Sequence, residues 1–172
     1  MALYCDFQTR QEQSTTNMLG AILKQLAHRD GIQEQIREAF QRAKWKFGGR
    51  GPLLSDMVDI LKKAIASLPR LFICIDALDE IVPEHLGGLL ESLREIVAVS
   101  PNIRVFLTGR PQIRGEITRY FSQVVLVTLS PSAGDIESYL EMKLDCDPDP
   151  EAMDEELRAD IMRIIPKNAS ER

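Results

Sequence analysis

Two short segments hold side chains whose types and order suit chemistry. The first is LFICIDALDE, residues 71–80. Five apolar residues closing on Asp76 describe a Walker B strand, whose terminal aspartate holds Mg²⁺ directly or through water. Ala77 is small and leaves room at the strand exit. Asp79 and Glu80 add carboxylates that could orient or deprotonate a water, so they are the candidate catalytic pair. The second segment is RVFLTGRP, residues 104–111. Here a buried strand ends in Thr108, Gly109 and Arg110. A hydroxyl beside a guanidinium can sense a terminal phosphate, because arginine offers a planar, permanently charged donor fork. Thr108 and Arg110 are therefore the candidate nucleotide-contacting residues, and Asp76 the candidate metal ligand. The plainer reading of both segments is a strand end followed by a solvated turn.

Chemistry of this type also needs G-x-x-x-x-G-K-[ST], whose backbone N–H groups and lysine cradle phosphates. No such run occurs in the 172 residues. The cluster Gly48-Gly49-Arg50-Gly51 is followed by Pro52-Leu53-Leu54 and reads as a loop between two helices. Other chemistries find less support. Cys5, Cys74 and Cys146 lack the paired spacing of a zinc site and read as thiols in a reducing compartment. His28 and His85 have no metal-like partner nearby and read as helix-surface residues. A serine hydrolase would need a G-x-S-x-G elbow, which is absent. A phosphoacceptor receiver domain, with Asp76 modified, would need a lysine after a later strand. The segment at 124–129 instead runs into Ser130-Pro131.

The elements that must position these residues alternate. Residues 2–7 predict a short buried strand ending near Asp6. Met18, Leu19, Ile22, Leu23 and Leu26 recur at helical spacing, with Thr15 or Thr16 as cap. A second helix fits 32–47 through Ile32, Ile36, Ala39, Phe40, Ala43 and Phe47. Ser55 caps a third, whose stripe is Met57, Ile60, Leu61, Ala64, Ile65 and Leu68. Strands are predicted at 71–76, 103–108 and 124–129, with helices at about 83–97, just after Pro111 and at 133–144. Ser132 and Asp135 form a capping box for the last of these. Asp147-Pro148-Asp149-Pro150 breaks the chain. A terminal amphipathic helix then carries Met153, Leu157, Ile161 and Ile164. Strands alternating with helices imply a parallel sheet covered on both faces, in an α/β fold.

Composition narrows the field. Apolar residues are 44% and charged residues 27%, ordinary for a globular protein. No stretch approaches the length of a membrane span, and residues 1–10 lack the features of a secretory signal. The net charge of −5 conceals an asymmetry: residues 135–172 hold 12 acidic and 5 basic side chains. That acidic end argues against a nucleic-acid surface there. The cluster Arg42, Lys44, Lys46 and Arg50 reads as a solvated helix face rather than a phosphate site.

The runs YCDFQ, NMLGAILKQL, FGGRG, SDMVDILKKAIASLPRLFICIDALDE, ESLREI, RVFLTGRP and DIESYLEMKL together resemble a fungal NACHT domain. More narrowly, they resemble the nephrocystin-3-like N-terminal module of NOD-like STAND proteins. The resemblance implies a three-layer P-loop NTPase-like parallel sheet. It implies a partial NACHT core at 1–146 and the start of a helical subdomain at 147–172. It implies a nucleotide-controlled switch, cytoplasmic, using Mg²⁺ and ATP or GTP, that oligomerises with itself or a related NACHT protein. Asp76 would match the family's metal aspartate, Asp79 and Glu80 its acidic pair, and Arg110 its sensor arginine. The family's phosphate-loop strand should precede YCDFQ and lie between the strands at 103–108 and 124–129. Its absence here makes the chain read as an interior slice, incomplete in its sheet. The expectation is that the isolated chain neither binds nor hydrolyses nucleotide. The alternative is a non-catalytic module that pairs with a full-length NOD-like relative.

Overall fold

The computed structural model describes residues 1–28, 33–46, 52–147 and 153–169. The loop at 48–51, Phe47 and Arg50, and the break at 148–150, lie outside them, as do the side chains of Ala43, Lys44 and Lys46. Among the described residues are three strands and seven α-helices: a mixed α/β chain, mostly helical, with an open parallel sheet. It forms two compact units, Met1–Val124 and Val125–Arg172.

The first unit is built around β2, Leu71–Asp76. It pairs in parallel with β1, Ala2–Tyr4, and with β3, Ile103–Leu107, in the order β1-β2-β3. The register sets Leu3 beside Ile75, and Ile73 beside Val105. Side chains alternate across a strand, so Leu71, Ile73, Ile75 and Ile103 share one face, and all four are buried. Helices α1 (Thr15–Ala27), α3 (Leu54–Ala66) and α4 (Pro83–Val99) form a core with that face. Leu19, Ile22 and Leu26 of α1, Leu61 and Ile65 of α3, and Leu89, Leu90, Leu93 and Ile96 of α4 are all buried. Helix α2 (Gln33–Lys46) adds Ile36, and α5 (Arg114–Tyr120) adds Ile117.

Several local expectations are corrected. The first strand is shorter than 2–7, because Asp6 turns the chain by accepting a hydrogen bond from the Gln8 N–H at 2.9 Å. Ser14, rather than Thr15 or Thr16, caps α1: its hydroxyl accepts from the Asn17 N–H. Thr15 is instead buried and donates to the His85 carbonyl at 3.0 Å, tying α1 to α4. Ser55 lies inside α3 rather than capping it. Leu53 is the cap position, and the Asp56 carboxylate accepts its N–H at 3.1 Å.

Two corrections bear on the sheet. The segment 124–129, predicted to be a strand, pairs with no strand among the described residues, and Val125 and Leu129 are 88% and 89% exposed. A β-strand is stabilised by its neighbours, and a valine-rich run cannot form one without a ladder to join. Within the first unit, the described helices cover one face of the sheet rather than two. The opposite face presents Tyr4, Phe72 and Phe106, with Tyr4 77% exposed and the two phenylalanine rings 6.1 Å apart.

In the second unit α6 (Ala133–Asp145) packs with α7 (Glu155–Ala169). Ser132 and Asp135 form the capping box expected for α6. Their hydrogen bonds hold the Asp135 carboxyl below its ordinary range. Arg158 meets Asp145 at 2.6 Å. Met153 precedes α7 instead of lying on it.

Truncation should separate the two sheet faces. Leu89→Ala or Ile75→Ala is expected to cost about 2–5 kcal/mol in urea unfolding. Phe106→Ser, on the uncovered face, should cost under about 1 kcal/mol.

Candidate functional site

Parallel pairing places the carboxyl ends of all three strands at one rim. Residues far apart in sequence meet there. The Cys5 N–H donates to the Asp76 carbonyl at 3.0 Å, extending the β1–β2 ladder. The Thr108 N–H donates to the Ile75 carbonyl at 3.0 Å, and the Thr108 carbonyl accepts from the Leu78 N–H at 2.9 Å. Open parallel sheets bind ligands at such a rim.

Ala77 has a φ of 55°, the left-handed region that side chains other than glycine seldom adopt. This residue turns the chain sharply off β2 into a 3₁₀ turn over Leu78–Glu80. Leu78 is driven into the core, while Asp79 and Glu80 swing toward the exit of β3. A hydrogen bond from the Ala77 N–H to the Thr108 hydroxyl, at 3.0 Å, holds the turn. The same hydroxyl donates to the Asp76 carboxylate.

Arg110 joins the acidic pair. Its Nε lies 3.4 Å from Asp79 Oδ2, and its Nη2 lies 3.4 Å from Glu80 Oε1. Its backbone N–H donates to Asp79 Oδ1 at 3.0 Å. All five residues singled out by sequence thus converge, as two linked sets: Asp76 with Thr108, and Asp79 and Glu80 with Arg110. The distribution of exposure is uneven. The Asp79 side chain is 7% exposed and that of Arg110 69%.

Sequence reading missed the place of Cys5. It is buried as expected, but beside the acids. Burial, and then the negative charges of Asp76, Asp79 and Glu80, push its thiol up to about 11 from an ordinary 9.0. The signal available was the parallel pairing itself, since the residue after β1 must fall beside the end of β2. Cys74 is half-buried and Cys146 exposed, and all three are free thiols.

Among the described residues no three His, Cys, Asp or Glu side chains converge to hold a metal ion alone. The donors at the rim are oxygens, from Asp76 and the Thr108 hydroxyl. Such a set fits Mg²⁺ rather than zinc, because Mg²⁺ accepts one or two carboxylates and completes its shell with water and phosphate. Of the basic cluster set aside in the sequence, Arg42 is the member whose side chain is described; it is exposed and pairs with Glu38 at 3.8 Å.

Two outcomes are expected here. At pH 8, alkylation should label the exposed Cys146 first and Cys5, buried and with its thiol pushed up to about 11, last, read by mass spectrometry. Folding favours the neutral Cys5 thiol, so its contribution to stability is present below about pH 9 and lost as pH rises through about 11. Cys5→Ala should flatten that part of the curve of stability against pH.

Beyond the geometry, known proteins bear on this chain. No curated protein and no solved structure matches it. Residues 1–110 match the family described as Nephrocystin 3, N-terminal, a span that runs from β1 through the whole rim to Arg110. The chain belongs to the nephrocystin 3 N-terminal family.

Proposed function

We propose that the chain is part of a nucleotide-dependent switch of the STAND class, with a P-loop NTPase-like sheet, and that the rim at Asp76 is its metal- and phosphate-facing side. The observation that carries this reading is the convergence of Asp76, Thr108, Asp79, Glu80 and Arg110 at the carboxyl ends of adjacent parallel strands. Asp76 and Thr108 would hold Mg²⁺, which when bound would neutralise phosphate charge and orient it. Glu80 keeps part of its carboxylate open to solvent and could orient a water. Asp79 adds a second negative charge behind it. Arg110, mostly exposed, offers guanidinium donors to a terminal phosphate. The family match over residues 1–110 supports this assignment. The three free thiols suit a reducing, cytoplasmic setting, and no described helix is long and apolar enough to cross a membrane.

The 172 residues contain no phosphate-cradling G-x-x-x-x-G-K-[ST] run. The main triphosphate contacts of such a site are backbone N–H groups and a lysine, so by itself this chain should bind ATP or GTP weakly and turn over neither. A second reading has an observation of its own. Tyr4, Phe72 and Phe106 lie exposed on one sheet face, and β3 ends the sheet among the described residues. Exposed edges and apolar faces mark interaction surfaces, and a non-catalytic module that pairs with a related NOD-like chain would use them.

Supplying a strand, phosphate loop and helix as a separate segment distinguishes the readings. On the switch reading, Mg-ATP or Mg-GTP hydrolysis appears only with the segment, and Asp76→Asn lowers it by about 100-fold or more. On the interaction reading, the segment binds without turnover. Hydrolysis by the chain alone refutes the dependence on the added segment, and an Asp76→Asn variant as active as the parent refutes the assignment of Asp76.

A further inference from the structure

The two acids that follow β2 are not equivalent. Both oxygens of Asp79 are committed to one residue, Arg110: Oδ1 accepts the backbone N–H at 3.0 Å and Oδ2 faces Nε at 3.4 Å. The side chain is 7% exposed. A group that activates water must reach water, and Asp79 is turned from it. Glu80, by contrast, meets only the outer end of the guanidinium, through Nη2.

The packing beneath the turn agrees. A Cβ built on Gly109 would lie 3.1 Å from Asp79 Oδ1 and 2.4 Å from Ile113 Cδ1. The backbone before Arg110 therefore approaches Asp79 so closely that a larger residue would crowd both neighbours. Arg110 is also the cap of the following 3₁₀ turn, Pro111–Ile113. A single carboxylate thus holds the main chain at the exit of β3 and the root of the guanidinium together.

We infer that Asp79 is a positioning residue: it clasps Arg110 by backbone and side chain and holds the guanidinium's outer donors at the rim for an oxyanion of phosphate type. This rests on the nucleotide reading for what Arg110 meets, and it reassigns Asp79 from water activation to the placement of Arg110. Asp76 and Glu80 are left as the carboxylates open to cation and water. The clasp also joins the exits of β2 and β3, so the metal-facing and phosphate-facing parts of the rim move as one piece.

Hydrogen exchange measured by NMR on the ¹⁵N-labelled chain tests this, with Mn²⁺ line broadening as a second readout. In the parent, the Arg110 backbone N–H and Nε–H should both exchange slowly. Asp79→Ala should speed both by about tenfold or more, with the amides of Ile73 and Val105 unchanged within about twofold. Asp79→Asn keeps the shape and a neutral acceptor. It should retain backbone protection within about threefold while losing that of Nε–H. Mn²⁺ should broaden signals around Asp76 at the same concentration in Asp79→Ala as in the parent, and not in Asp76→Asn. Unchanged Arg110 exchange in both Asp79 variants overturns the clasp. So does a loss of Mn²⁺ broadening in Asp79→Ala equal to that in Asp76→Asn, since Asp79 would then be a cation ligand. Absence of Mn²⁺ broadening in the parent counts against the nucleotide reading alone, and Arg110 exchange still decides the role of Asp79.

Discussion

The parallel ladder on both sides of β2 is the constraint from which the rest of the first unit follows. Among the described strands β2 alone has two partners, and its alternate residues Leu71, Ile73 and Ile75 are buried. Parallel register leaves no choice about where the strands end: all three exits face the same way. Once the aliphatic face is seated on α1, α3 and α4, a one-residue slip would turn Asp76 into the core and Ile75 out of it. Burial of an unpaired carboxylate is strongly unfavourable, so the register is well determined. The polar rim is a by-product of an apolar core.

The rim is held by backbone geometry as much as by charge. Ala77 adopts a left-handed conformation that is disfavoured for alanine, and the structure around it compensates. Its N–H binds the Thr108 hydroxyl, Leu78 fills the core, and the Leu78 N–H binds the Thr108 carbonyl. Strain of this sort persists where neighbouring contacts over-determine it, and such positions cluster at functional sites. Here it re-aims two carboxylates from the end of one strand to the exit of the next. Among the described residues one guanidinium, that of Arg110, meets this acidic pair, so these residues leave an excess of negative charge at the rim. Cys5 lies beside it, and burial first, then these negative charges, keep its thiol from ionising.

The edges of the sheet are treated differently. At β1 the Gln25 side chain from α1 accepts from the Ala2 N–H at 3.1 Å and donates to the Ala2 carbonyl at 2.8 Å, covering the outer backbone. At β3 the exposed Phe106 stands beside Phe72 on the face that no described helix of the first unit covers. A parallel sheet is ordinarily buried on both faces, and this asymmetry is the reason the interaction reading stands beside the switch reading.

Much of this architecture was legible in the amino-acid order, for local reasons. The run LFICI followed by Asp76 could only be a buried strand ending in a charge, and β2 occupies residues 71–76 as expected. The stripes of α1, α3 and α4 follow helical spacing, and the Ser132–Asp135 box is a contact within one turn. Expectations failed where a distant partner had the deciding part. Thr15 was free to cap α1 until the His85 carbonyl took its hydroxyl. The valines at 124–129 have strand propensity, but a strand is a pairing and they have none among the described residues. The two acids of the Asp-Glu pair look interchangeable in sequence. Folding alone sets them apart, because burying one against Arg110 and leaving the other near water depends on a turn thirty residues away. Side-chain order thus dictates periodicity and local caps, whereas long-range hydrogen bonds and burial assign each polar group its role, since they exist only between segments brought together in space.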